Sequence, residues 1–114
     1  MAIVAPVLAT VGSATASDAT PAYRLINQAQ RGGVGTVDLV MPGATAAEAR
    51  HAIADYAVGI GPRTELYFVK VVRSKDARRY VCRARWYADA HAAKVHSAGR
   101  FTAEAWPALE INCP

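Results

Sequence analysis

The chain has 114 residues, of which 53% are hydrophobic and 19% charged, with a formal net charge of +4. That length suits one domain and excludes two. Much of the hydrophobic share is alanine, so the core is small, and a covalent staple matters more than it would in a larger protein. The charge is unevenly spread. Arg63 to Arg100 holds ten Lys or Arg against three acidic residues (Glu65, Asp76, Asp89), and the remainder is net acidic. Such a segment suits an anionic partner, whether an acidic protein, a polyanion or nucleic acid, and it also suits a merely solvated sheet face.

Residues 2–16 are small and apolar, with Ile3, Val4, Val7, Leu8 and Val11 among alanines. The run is shorter than the roughly 20 residues a membrane-spanning helix needs. It ends in Ala14-Thr15-Ala16, the small-x-small form of a signal-peptidase site, although no Lys or Arg precedes it. Residues 1–16 are therefore expected to be a signal-peptide-like segment, 17–22 a flexible linker, and the protein secreted or extracytoplasmic.

Residues 23–114 are expected to form a single α+β domain. Tyr23 to Gln30 fits either a short helix ended by Gly32-Gly33 or a strand that turns back through them. Val34 to Met41 is β-rich and is stopped by Pro42-Gly43. A helix over about 45–58 follows from the capping-box spacing of Thr45 and Glu48 and from Ala46, Ala49, Ile53, Tyr56 and Ala57 at helical intervals. Gly59 and Gly61-Pro62 end it, and Arg50, His51 and Asp55 fall toward solvent. Leu66 to Val72 is a strand, Ser74 to Ala77 a polar break, and Tyr80 to Tyr87 a second, alternating strand. A four-residue loop places Val71 opposite Tyr80, Val69 opposite Cys82, and Tyr67 opposite Ala84. The inner face is then Tyr67, Val69, Val71, Tyr80, Cys82, Ala84 and Trp86. Ala88 to Ala98 fits a short helix or a long loop, and Leu109 to Cys113 is a last strand. The expected architecture is α+β: one main helix on a small antiparallel sheet of three to five strands, with the hairpin 65–87 at its centre.

Cys82 and Cys113 are the only cysteines. An even count in a small exported chain favours a disulfide, which requires the last strand to reach the second hairpin strand. No CxxC and no Cys/His pair with zinc spacing occurs, so neither a metal nor a cofactor is expected. P-loop, GxSxG and HExxH signatures are also absent.

Two constellations could carry function. On the outward hairpin face, Lys70, Arg79, Arg83, Arg85 and Tyr87 form the candidate binding set, with Leu66 and Phe68 between them. Guanidinium groups meet phosphates, and aromatic rings stack on bases. The second set is Glu65, Arg79, Arg83 and His91. A carboxylate base, phosphate-binding arginines and a histidine acid would suit phosphodiester transesterification. With the stretch Ala77 to Cys82 (ARRYVC) and a helix preceding a sheet, this resembles small secreted microbial ribonucleases in outline. The helix-to-sheet interval is too short for that family's strand count, and its histidine motif is not reproduced at Asp89-Ala90-His91. His91 and His96 lie five apart, the wrong spacing for one helix face. The leading expectation is a small, exported, non-enzymatic binding protein that recognises an anionic or protein partner through a basic sheet face, for example an inhibitor of a secreted enzyme. A ribonuclease-like hydrolase using Glu65 and His91 is one alternative, and a structural cell-envelope protein is another.

Overall fold

The structure is a computed structural model and describes residues 22–114. The signal-peptide-like segment 1–16 and all but the last residue of the 17–22 linker lie outside the described residues. Five strands and two helices follow in the order β1 (Arg24–Arg31), β2 (Val34–Val40), α1 (Ala46–Val58), β3 (Leu66–Val72), β4 (Cys82–Tyr87), α2 (Ala90–Ser97) and β5 (Ala108–Asn112). The strands lie in one sheet in sequence order, β1-β2-β3-β4-β5.

The ambiguous first segment is a strand. Gly32 and Gly33, with φ of 58° and 82°, make the two-residue turn into β2 that suits the twist of a hairpin. Apart from Leu25, the residues of β1 on the α1 side are polar, and side-chain bonds hold the strand and the residue before it in place. Tyr23 donates to Asp55, Gln28 to Tyr56, and Gln30 to the buried Thr64.

Three expectations are corrected. The sheet is mixed rather than antiparallel, because α1 crosses over between β2 and β3 and leaves them parallel. There are two helices rather than one, since Asp89 caps Ala92 N at 2.8 Å and starts α2 in a stretch that also fits a loop. The hairpin register is also different. The β3–β4 connection runs from Arg73 to Val81, so Val71 pairs with Cys82, Val69 with Ala84, and Tyr67 with Trp86. The slip is two residues, and side chains alternate with period two, so every strand residue keeps its expected face. Tyr80 alone leaves the inner set, because it falls in the connection.

Helix α1 follows the capping-box reading. Thr45 Oγ1 accepts from Glu48 N at 3.1 Å, and Glu48 Oε1 accepts from Thr45 N at 2.9 Å. Its Ala49, Ala52 and Ile53 pack on Val37, Leu39, Val69, Val71, Cys82 and Ala84 to form the main core. The small alanine side chains let the helix backbone approach the sheet closely. Gly35 matters for the same reason: a Cβ there would lie 2.3 Å from the Tyr67 ring, which covers β2 at that point.

The last strand lies where the cysteines require it. β5 runs antiparallel to β4, and Cys82 and Cys113 form a disulfide with Cα atoms 4.2 Å apart. Among the described residues no helix is long and apolar enough to cross a membrane.

Candidate anion-binding face

Helix α1 covers one face of the sheet. Among the described residues the other face is buried at its two ends: Val40 and Val72 at one, and at the other Leu66 and Tyr87, on which α2 and the segment after it pack. Ala93, Val34, Phe101 and Trp106 complete this second, smaller cluster. The Tyr87 ring stacks on Phe101 with centroids 5.1 Å apart, and its hydroxyl donates to Glu110 Oε1 at 2.8 Å. Burial, then the bond to Glu110, push that hydroxyl above its ordinary pKa, against the lowering influence of Arg85. Tyr87 thus lies on the expected side of the sheet, but it is 0% exposed and presents nothing to a ligand. Leu66, also expected on the outward surface, is buried in the same cluster.

Between these ends no described element covers the outer face, and the strand register arranges it in two transverse rows. One row is Thr36, Phe68, Arg85 and Glu110; the next is Asp38, Lys70, Arg83 and Asn112. Neighbouring strands are about 4.8 Å apart and successive same-face residues about 7 Å. Together with Arg100, which follows α2, these side chains line a groove of about 660 Å³. A smaller concavity of about 340 Å³ adjoins it, and Arg85, Arg100 and Glu110 border both.

Aromatic rings position two of the guanidinium groups. Arg83 lies over the Tyr80 ring, 5.3 Å from its centroid, and Arg85 over Phe68 at 5.8 Å. Among the described residues Lys70 pairs with Asp38 at 3.8 Å, and His96 Nε2 lies 3.6 Å from Glu65 Oε1. Arg83, Arg85 and Arg100 are in neither. Glu110 faces the same groove, but its carboxylate is engaged by Tyr87. Asp38 is engaged twice, by Lys70 and by Asn27 Nδ2 at 2.9 Å. Three guanidinium forks therefore remain available to an incoming anion.

The other sequence candidates are dispersed. Arg79 is exposed in the Arg73–Val81 connection, off the strand and away from the groove lining. Glu65 precedes β3, at the opposite end of the hairpin from Arg79, and its histidine neighbour is His96 rather than His91. His91 is exposed on α2. The geometry does not bring Glu65, Arg79, Arg83 and His91 together. Sequence reading missed Arg100, Asp38, Thr36, Glu110 and Asn112. Alternation along β2 and β5 would have given the faces of all but Arg100, which follows α2, and only the strand order shows that they share the groove with β4. Among the described residues no group of His, Cys, Asp and Glu could hold a metal ion. Comparison with known proteins found no matching family model, no matching curated protein and no matching solved structure.

Proposed function

We propose that this is a small non-enzymatic binding protein that recognises an anionic partner through the uncovered face of its sheet. The observation that carries this reading is that Arg83 and Arg85 lie over aromatic rings and not against carboxylates, on the part of the face that no described element covers. A guanidinium group oriented by a ring keeps its donors free for bidentate contact with a carboxylate, sulfate or phosphate. Lys70 and Arg100 extend the same cationic surface along and beyond the strands. The disulfide supports an oxidising, extracytoplasmic setting, where an acidic secreted protein or a polyanion would be at hand.

The test is salt-dependent binding to an immobilised polyanionic chain. Replacing Arg83 and Arg85 together by alanine should weaken binding. It should also make the dependence of log K on log salt shallower by roughly 1.4, at about 0.7 for each phosphate-like group that is no longer neutralised. Arg50→Ala, on the exposed side of α1 across the sheet, serves as the control. If the double variant binds like the wild type, or if Arg50→Ala costs as much, the outer face is not the anion site.

A further inference from the structure

The same face carries more information than its charge. Its cations lie on the two central strands, at Lys70, Arg83 and Arg85, with Arg100 beyond them. Its two carboxylates occupy diagonal corners, Asp38 on β2 and Glu110 on β5, and uncharged hydrogen-bonding groups occupy the other two, Thr36 and Asn112. Phe68 sits between them, 38% exposed on a central strand, with the Arg85 guanidinium over its ring.

We infer that the outer face takes single-stranded nucleic acid, with a base stacked on Phe68 and backbone phosphates on Lys70, Arg83, Arg85 and Arg100. The inference rests on the anion-binding reading of that face. An acidic polypeptide would meet the same arginines, but its carboxylates would also face Asp38 and Glu110. A nucleotide chain alternates anionic phosphates with neutral, planar bases whose amino groups donate hydrogen bonds. Phosphates then lie over the cationic centre. The Asn112 amide and the Thr36 hydroxyl at the other corners can pair with base edges, and the exposed ring supplies a stacking platform. The repeat of about 7 Å between Arg83 and Arg85 along β4 orients the chain parallel to that strand.

The test uses three fluorescently labelled probes of equal length: an oligodeoxycytidine, the same backbone with abasic sites, and a poly-glutamate peptide. Binding is measured by anisotropy at one fixed salt concentration. The wild type should prefer the oligodeoxycytidine to the abasic strand by roughly tenfold, the scale of one stacked base. Phe68→Leu, which keeps apolar bulk without the π face, should remove that preference by weakening oligodeoxycytidine binding more than abasic binding, which falls only through the lost ring contact of Arg85. Phe68→Ala should do the same, with circular dichroism confirming that each variant is folded. Equal affinity of the wild type for the two strands, an equal loss on both strands in the Phe68→Leu variant, or tighter binding of poly-glutamate would each overturn the nucleic-acid inference and leave the anion-binding reading standing. Binding to none of the three probes would overturn both.

Discussion

Removing the Cys82–Cys113 bridge should cost this fold a large part of its stability. The bridge closes a loop with a sequence separation of 31. In the chain-entropy view, opening a loop of that size costs about 3.7 kcal/mol at room temperature. For a domain of this size that corresponds to a fall in melting temperature of roughly 15–30 °C. Little else holds the last strand. β5 has five residues, pairs only with β4, and leaves Leu109 and Ile111 only half-buried. Its side-chain hydrogen bonds are those from Tyr87 to Glu110 and, at 3.5 Å, from Asn112 to the Tyr80 hydroxyl. The assay is urea unfolding of three forms: oxidised wild type, wild type under reductant, and Cys82→Ala/Cys113→Ala. Reduction isolates the cross-link. The double variant also removes the packing of the fully buried Cys82, an increment of about 1 kcal/mol. Amide exchange should show β5 losing protection first. A reduced protein that unfolds within about 1 kcal/mol of the oxidised form, with β5 still protected, would show that packing alone holds the strand and would refute the reasoning.

Two further outcomes are expected. Gly35→Ala should destabilise by about 1–3 kcal/mol, because its methyl would enter the Tyr67 ring and the Tyr56–Tyr67 hydroxyl pair above it leaves that ring little room to move. Thermal unfolding measures this, and an unchanged midpoint would mean that the ring gives way freely. Stability should also fall on the alkaline side. Burial, and then the hydrogen bond to Asp55, push Tyr23 from 10.0 up to about 12, while burial and the bond to Tyr67 do the same for Tyr56. The folded state thus keeps these protons when the unfolded chain has lost them. Their stabilising contribution is complete below pH 10 and is lost as pH rises through about 12. Tyrosinate absorbance of the folded protein that develops fully near the ordinary value would contradict this.

What the sequence made legible was local. Thr45 and Glu48 announce α1 because both halves of the capping box lie within one turn. Alternation from Leu66 to Tyr87 assigns each strand residue to a face, and that assignment survives a wrong register because the slip is even. The disulfide was legible because cysteine count and strand placement agree. Layer coverage was not legible, because it is set by contacts between distant segments. Nothing within Tyr80 to Tyr87 distinguishes Tyr87 from Phe68 as a ring on the outer face. The difference arises because Phe101 and Trp106, after α2, fold back over one end of the sheet and stop there.

That partial cover decides where function can lie. A second helix as long as α1, placed on the outer face, would bury Phe68 and force Arg83 and Arg85 to find partners or unfold the layer. At eight residues, and seated against Leu66 and Tyr87, α2 leaves the two middle transverse rows open. A buried guanidinium without a partner is costly, whereas an exposed one leaning on a ring is tolerated. The bare rows therefore place no strain on the fold and are free to be shaped by a ligand. Charge reversal separates a ligand site from a solvated face. Arg83→Glu together with Arg85→Glu, which sets a carboxylate directly opposite Glu110, should lower the unfolding free energy by no more than about 2 kcal/mol, while abolishing binding to any polyanion. A large loss of stability in that variant would instead mean that the arginines serve the sheet.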